Sequence, residues 1–486
     1  MVFLLSFLQL SYTLNIFSLL SIGTYGFSYS EFSIILIAAF ITFQVVWNGK
    51  PLRIPARTDL YFIVGIWAAF ALSAVAVLFT ADKSFVVQTG KTFAHMTMIW
   101  ACAMAIMVYP IKNEQWITVL RVNIVIALVV SLYAMYQLPA RALDWPLGWI
   151  EVSNASFGRG LADGADTKQL ALQFADFYRA TSIFSEPSSL AGYSASTLIL
   201  LLVPMLSGTK PLFRSNAFTW ISISLSLIAL LIAFSLTGVM LLAGFGMLAT
   251  VLFGKRALRS MMHIGIVTVA VLVTTNYLVY SLTQFDVLET FAARIVNVSS
   301  GAAGSELADE NIVGESYTQR TSDYTMSVSA WVESPLLGVG PGCFSQSESG
   351  KKHNSPFVTG TINNALAELG IVGAVAVVGL LSLCFIELLI DYRQWSRAAT
   401  TLDSDGGTLV AIMPFKMIQL IITAFTANWM INAVEWSTLA MIISTSTSFR
   451  TTLGQQKIVN VYVVEHPFKE TIARWLQKGN KVGTDY

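Results

Sequence analysis

Long apolar runs recur along almost the whole chain, and this feature limits its fold more than any other. The runs are about 18 to 25 residues long, the length that an α-helix needs to cross about 30 Å of hydrocarbon. Of the 486 residues, 55% are hydrophobic and 12% are charged, whereas a soluble domain has about 25% charged residues. We therefore predict an all-α polytopic membrane protein that forms a single transmembrane bundle over residues 1–486.

The apolar runs predict about twelve transmembrane helices. They lie near residues 2–22, 31–47, 59–79, 86–109, 116–137, 189–206, 217–234, 237–254, 261–281, 364–390, 408–427 and 430–447. Basic residues cluster in the short loops at 50–57, 210–214, 255–259 and 393–397. With this number of spans the clusters and the tail 448–486 share one side, which the positive-inside rule makes cytoplasmic together with both termini.

Two long hydrophilic loops, residues 138–188 and 282–363, then lie on the exported face. Loops of roughly 50 and 80 residues usually carry function. Helical spacing predicts an amphipathic helix in the first loop at 170–178, and helices in the second at 287–295 and 324–331. Such helices lie at the membrane interface or cap the bundle, and the alternative is that they only cover it.

The end of the first loop is a candidate anion site. Arg179 precedes the run Ser-Glu-Pro-Ser-Ser at 185–189, where Pro187 suits the first position of a helix that enters the membrane from outside. The free N–H groups and the positive dipole end of that helix favour a phosphate or diphosphate near Arg179. The alternative is that Arg179 extends to a lipid headgroup.

The second loop repeats this arrangement with Lys352, His353 and Asn354 before a span that also begins outside. Further upstream, Arg320 is aligned with Tyr324 and Trp331, which places its guanidinium on the apolar face of its helix. A charge in that position needs a partner, and two kinds are open: a carboxylate such as that of Glu186 or Glu368, or an anionic substrate held in a bidentate manner.

His353 is the only histidine in either exported loop. By position it is the best candidate for a general base, with Glu186 and Glu368 as substitutes. The alternative is that His353 is an ordinary polar loop residue.

Within the predicted spans, Lys91 and His95 lie one helical turn apart and are expected to face a cavity or a partner. Lys416 is assigned near the cytoplasmic end of its span, where its side chain would extend to the interface, and Glu435 near an exterior end. No His, Cys or carboxylate grouping has metal-ligand spacing, and no Gly-rich nucleotide motif follows a strand. We therefore expect neither a metal nor a cofactor, and the lack of a dense basic tract argues against nucleic acid.

At these residues the sequence resembles the bacterial O-antigen polymerase and O-antigen ligase family, which are integral membrane glycosyltransferases. The matching pieces, in chain order, are Arg179 with Ser-Glu-Pro-Ser-Ser at 185–189, Arg320 with Trp331 and Pro-Leu-Leu-Gly-Val-Gly at 335–340, and His353-Asn354 with Glu-Leu-Gly-Ile-Val-Gly at 368–373. Their order and spacing both fit. The resemblance spans about residues 179 to 373, under half of the chain.

The resemblance implies a metal-independent glycosyltransferase in the bacterial inner membrane. Its donor would be a polyprenyl-diphosphate-linked oligosaccharide, and transfer to a sugar hydroxyl would occur at the periplasmic face and build O-antigen or exopolysaccharide. Arg179, Arg320, Lys352 and Asn354 would bind the diphosphate, and His353, Glu186 or Glu368 would be catalytic. Membrane lipids and the flippase and chain-length regulator of the same pathway are the expected partners.

Two alternatives remain open. An O-antigen ligase would transfer the glycan to lipid A core, and we favour a polymerase because no strongly basic exterior patch awaits a phosphorylated core. A lipid-linked sugar flippase or another secondary transporter would also suit about twelve spans. Against a transporter, the halves show no repeat and the distinctive polar residues gather in the exported loops.

Overall fold

The structure is a computed structural model. It describes residues 1–22, 25–55, 58–79, 83–154, 169, 173–174, 177–283, 286, 288–289, 292, 315–353, 355, 357–397, 404–428, 430, 432–453 and 458–461.

Helices dominate the described residues. They are α1 (Val2–Thr13), α2 (Tyr29–Val46), α3 (Thr58–Val77), α4 (Lys83–Val108), α5 (Asn113–Ala142), α6 (Pro187–Ser207), α7 (Asn216–Ile232), α8 (Leu236–Thr283), α9 (Glu315–Glu333), α10 (Glu348–His353), α11 (Thr361–Arg397), α12 (Ser404–Thr426) and α13 (Ala433–Thr452). Short strands pair in antiparallel fashion as β1 (Ser18–Ile22) with β2 (Tyr25–Ser28), β3 (Leu52–Pro55) with β6 (Ile458–Val461), and β4 (Gln173–Phe174) with β5 (Phe177–Tyr178).

Nine helical segments among the described residues are long and apolar enough to cross a membrane. They comprise α2 to α6, α11, α12 and the two parts of α8, which is interrupted at Gly254. Large apolar side chains on these helices are exposed, including Val129 at 64%, Met247 at 72% and Ile266 at 68%. A surface of this kind is stable against lipid and unfavourable in water, so the chain is a multi-pass membrane protein.

The three remaining predicted spans correspond to shorter or less apolar helices, α1, α7 and α13. The first differs most from the prediction, because residues 2–22 are not one helix. The helix ends at Thr13, and residues 18–22 pair with residues 25–28 instead. Ser18 also exchanges hydrogen bonds with Ser153, so this segment finds its backbone partners in a hairpin and in the first long loop.

The basic short loops gather at one end of the bundle. Strand β3 follows α2, and its pairing with β6 brings the C-terminal segment beside that loop. Lys210, after α6, forms an ion pair of 2.8 Å with Asp405 at the start of α12. These contacts agree with the predicted placement of the short basic loops and the tail on one side. We call the other end, where α5 ends and α6 and α11 begin, the loop end.

The helices predicted in the two long loops have different outcomes in the structure. In the first loop the described residues of the predicted segment 170–178 form the hairpin β4–β5, so the predicted helix is wrong there. In the second loop, α9 confirms the helix predicted at 324–331, and most of the helix predicted at 287–295 lies outside the described residues. Its buried face carries Asp323, Met326 and Ala330, whereas Tyr324 is 62% exposed. The face turned inward is therefore shifted by one position from the predicted one.

Helix α6 is the most buried of the nine spans, because 83% of its most apolar stretch of residues lies inside the bundle. Pro187 starts it and Gly208, with φ of 72°, ends it in a left-handed cap. It packs against α5, α7, α8 and α12. Because no side of α6 faces lipid freely, its polar residues must face either partner helices or an internal cavity.

Candidate functional site

A polar cavity of about 110 Å³ lies inside the bundle beneath the start of α6. Its walls come from α1, α5, α6, α8, α12 and α13. Glu186, the residue before α6, is exposed and marks the mouth of the cavity at the loop end. Ser196, a deeper wall residue, lies nine positions beyond Pro187, or about 13 Å along the helix at about 1.5 Å per residue. The cavity therefore reaches nearly half-way through about 30 Å of hydrocarbon.

One face of α12 supplies much of the polar wall. Lys416, Gln419, Thr423 and Thr426 all line the cavity, at offsets of three, seven and ten residues from the first. This spacing places them on a single stripe of the helix. Each hydroxyl or amide on the stripe offers hydrogen-bonding atoms at a depth where lipid offers none.

Lys416 lies near the middle of α12 and is only 6% exposed. Its Nζ donates to Ser196 Oγ at 2.6 Å and to Gln419 Oε1 at 2.7 Å. The prediction that Lys416 extends to the cytoplasmic interface is therefore wrong. The predicted span began at 408, whereas α12 begins at Ser404, and the polar stripe keeps the ammonium inside the bundle.

Glu435 lies in the first turn of α13 and lines the same cavity. This turn confirms that Glu435 lies near one end of its helix, and its placement on the exterior side stays a prediction. Its Oε2 atom is buried and has no hydrogen-bond partner among the described residues. Lys416 is close enough to act on the Glu435 carboxylate electrostatically. The cavity thus holds a lysine and a carboxylate within the membrane-spanning region, where ionisable groups are rare and usually functional.

Glu186 precedes α6 in extended conformation, with φ of −144° and ψ of 156°. Ser189 Oγ donates to Glu186 Oε1 at 3.4 Å. Of the predicted site residues within the described part of the chain, Glu186 is the one that lines the cavity.

Arg179 is 5% exposed and lies behind the turn that joins α7 to α8, with its Nη1 atom 3.5 Å from the carbonyl oxygen of Phe234. Helix α8 begins directly after that turn, and its second residue, Thr237, lines the cavity. Arg179 therefore contacts the turn that leads into one wall of the cavity.

Arg141, a residue not singled out in the sequence, fixes the chain between Arg179 and Glu186. The Arg141 guanidinium is 4% exposed, stacks on Trp149 at 4.3 Å, and donates to the carbonyl oxygens of Gly148 and Arg179. It also donates to Thr181 Oγ1 at 2.7 Å. The five fixed donors of a guanidinium suit this set of bonds, which holds the chain at residues 179–181 ahead of α6.

The second motif region is built by close backbone packing. Helix α11 is broken at Gly370, with φ of 65° and ψ of −161°. The loop after α9 fills the break: Val339 N–H donates to the Ala367 carbonyl at 3.0 Å, and Ile371 N–H donates to that of Pro335 at 3.0 Å. A Cβ atom at Gly338 would lie 2.2 Å from the Glu368 carbonyl carbon. Residues 335–340 and 368–373, two of the pieces that carried the resemblance, thus pack on each other.

Glu368 is buried at this junction, 6% exposed. Its Oε2 atom accepts a hydrogen bond of 2.7 Å from Gly342 N–H, and its carbonyl oxygen accepts one of 2.9 Å from Ser73 Oγ. The carboxylate therefore holds the glycine-rich loop against α11, and the backbone carbonyl joins α11 to α3. Glu368 lies outside the lining of the cavity that contains Glu186.

Lys352 and His353 are exposed at the end of α10. Glu333, at the end of α9, caps this helix by accepting hydrogen bonds from Glu348 N–H and Ser349 N–H. Asn354 lies outside the described residues. Arg320 lies in α9, and its side chain also lies outside the described part. The roles predicted for these four residues stay predictions.

The second long loop meets the link between α12 and α13 near the cavity. Thr361, the first residue of α11, donates through its N–H and its Oγ1 to the carbonyl oxygen of Ala427, at 3.0 and 2.8 Å. Ala427 lines the cavity. The second loop therefore reaches the cavity rim through the start of α11, while Glu368 and His353 occupy other positions at the loop end.

Lys91 and His95, the polar pair predicted in α4, have different surroundings in the structure. His95 is hydrogen-bonded to Glu31 of α2, which also completes a capping box with Ser28. Lys91 is exposed on the surface of α4. His95 thus has the predicted partner, in a helix–helix contact away from the cavity. Nowhere in the described ranges do three His, Cys, Asp or Glu side chains converge as metal ligands.

Comparison with known proteins found no match, either among protein-family models or among curated proteins. The family suggested by the motifs at 179–189, 320–340 and 353–373 therefore stays a prediction.

Proposed function

We propose that this protein is a membrane glycosyltransferase that polymerises polyprenyl-diphosphate-linked oligosaccharide repeat units at the periplasmic face of the bacterial inner membrane. One observation carries the proposal: a polar cavity opens at the start of α6, with Glu186 at its mouth and Arg179 behind the adjoining turn. A lipid-linked donor needs such a place, where a diphosphate at the interface can meet polar groups and its lipid stays in the bilayer.

The reaction requires little from the protein besides charge and a base. The bond between the anomeric carbon and the phosphate oxygen breaks, and its electron pair leaves with the diphosphate. The acceptor hydroxyl oxygen bonds to the anomeric carbon and gives its proton to a base, for which Glu186, His353 and Glu368 are the candidates. Arg179 and Arg320, with the N-termini of α6 and α11, would stabilise the charge on the leaving group.

The test replaces the two arginines. We expect Arg320→Ala and Arg179→Lys to reduce polymer synthesis by about 100-fold, the loss typical of removing one donor to a developing oxyanion. Arg214→Ala is the matched control, because Arg214 is exposed at the opposite end of the bundle. Membrane insertion and monodisperse elution establish that each variant is folded. Wild-type polymer output from both folded arginine variants would contradict the mechanism.

Lys416 gives a specific reason to retain the transporter as a second candidate. Beyond it lies a smaller void of about 20 Å³, whose walls share Gln9, Asn123 and Lys416 with the large cavity. Intramembrane lysines commonly line transport pathways. Proteoliposomes loaded with a lipid-linked oligosaccharide distinguish the candidates, since a polymerase lengthens the glycan and a flippase moves it unchanged to the other leaflet.

A further inference from the structure

The cavity that opens at Glu186 has two compartments of very different size. The compartment above Lys416 has a volume of about 110 Å³. The compartment beyond Lys416 has a volume of about 20 Å³, close to the ~10–15 Å³ that a single water molecule needs on the same measure. A polar ligand from the loop end can therefore insert one edge as far as Lys416 and no further.

The lining of the larger compartment is rich in neutral hydrogen-bonding groups. Asn123, Ser188, Gln419, Thr423 and Thr438 contribute amides and hydroxyls. Such a mixture of donors and acceptors matches a ligand that carries several hydroxyl groups. The apolar body of Tyr12 adds an aromatic surface to the same wall.

Two charged groups in the wall of the cavity give it direction: Glu435 lies near the loop end and Lys416 lies deeper in the bundle. Lys416 Nζ is held by Ser196 and Gln419, which leaves one of its three N–H donors beyond these two bonds. Glu435 Oε2 is buried without a hydrogen-bond partner among the described residues. Leaving a buried carboxylate oxygen unsatisfied is costly. A ligand hydroxyl that donates to Glu435 and accepts from Lys416 would satisfy both groups.

We propose that this cavity is the subsite for one sugar residue of the acceptor glycan, with Glu435 and Lys416 as its hydrogen-bonding contacts. The assignment of the bound sugar to the acceptor glycan rests on the proposed function. The binding of a sugar rests on the cavity alone. It places the acceptor beside Glu186, and it assigns a binding role to two residues that the sequence motifs do not include.

Gly192 offers a clean way to block the site. It lines the cavity, and a Cβ atom added there meets nothing within 4 Å. Gly192→Leu should therefore fold and fill the cavity. Gly90→Leu is the matched control, because Gly90 is also helical, also has nothing within 4 Å, and faces outward from α4. Glu435→Gln is the second variant, and its control is Glu114→Gln, an exposed carboxylate in the first turn of α5 at the opposite end.

The experiment measures binding of methyl glycosides of glucose, galactose and N-acetylglucosamine by saturation-transfer NMR, with the full-length protein in nanodiscs. We expect wild-type protein and both controls to bind at least one glycoside. We expect Gly192→Leu to abolish binding and Glu435→Gln to weaken it by about tenfold, the effect of one hydrogen bond to a charged group. No binding by wild-type protein, or equal binding by Gly192→Leu and Gly90→Leu, would overturn the proposal.

A polymer assay on the same variants separates this proposal from the proposed function. If the wild type elongates a lipid-linked glycan and Gly192→Leu does so equally well, the cavity is not the acceptor subsite, although the polymerase stands. If the wild type binds glycosides in the cavity and elongates nothing, the sugar site stands and the polymerase does not.

Discussion

Replacing Gly370 by alanine tests the packing that joins the two parts of the second motif region. A Cβ atom there would lie 2.5 Å from both the carbonyl carbon and the carbonyl oxygen of Leu336 and 2.7 Å from the nitrogen of Gly338. These are backbone atoms, so they cannot move aside as a flexible side chain would. The backbone at φ of 65° and ψ of −161° adds a second penalty for any residue with a side chain.

The two penalties can be separated by three glycines. Gly90 is helical with open space around it, so Gly90→Ala should stabilise α4 by up to about 1 kcal/mol. Gly254 has φ of 55° and open space, so Gly254→Ala should carry only the backbone cost of about 1 to 3 kcal/mol. Gly370→Ala should add about 1 to 3 kcal/mol for the forced overlap, for a total of about 2 to 6 kcal/mol.

The assay is reversible unfolding by sodium dodecyl sulfate in mixed micelles, followed by tryptophan fluorescence, with the free energy of unfolding compared among the three variants and the wild type. The order expected for stability is Gly90→Ala, then Gly254→Ala, then Gly370→Ala as the least stable. If Gly370→Ala is as stable as Gly254→Ala, the loop at 335–340 does not pack into the break of α11 as described.

Two further predictions concern the loop end. Arg141→Lys should lower the free energy of unfolding by about 3 kcal/mol or more, because an ammonium cannot reproduce the planar set of bonds to Gly148 and Thr181; unfolding in mixed micelles measures this, and a loss below about 0.5 kcal/mol would contradict the structural role. His353→Ala and Lys352→Ala should change stability by less than about 0.5 kcal/mol because both side chains are exposed, so a loss of polymer synthesis at wild-type thermal stability would assign them to the reaction, and wild-type synthesis would exclude them from it.

The membrane class was predictable because it depends on composition over long windows. Apolar runs such as 189–206 and 364–390 are long enough for a helix that crosses hydrocarbon, and α6 and α11 cover both. The prediction of one span over residues 2–22 was wrong because hydropathy does not show where the backbone forms hydrogen bonds outside a helix. Residues 18–22 are apolar enough for a span, yet they pair with residues 25–28.

The cavity was harder to predict because its polar residues lie on six helices that are far apart in sequence. One signal in the sequence does point to it: Lys416, Gln419, Thr423 and Thr426 form a stripe at helical spacing on an otherwise apolar span. Which loop residues meet depends on tertiary contacts, such as that of Thr361 with Ala427, which no local pattern contains.

The positions of Glu186 and Arg179 were predictable in part. Sequence placed both near the start of α6, and the structure describes both there. The sequence could not show that Arg141 holds the chain near Arg179. The partners of Arg141, which are Gly148, Gln169 and Thr181, are spread over the first long loop.

Glycan elongation by the purified protein tests the central claim most directly. The full chain in nanodiscs is incubated with a synthetic polyprenyl-diphosphate-linked repeat unit and no other protein, and the products are separated by size. A polymerase would produce a ladder of lengthened lipid-linked glycans with release of polyprenyl diphosphate. Recovery of the unchanged repeat unit would contradict polymerase activity, and transfer of the glycan to added lipid A core would identify a ligase instead.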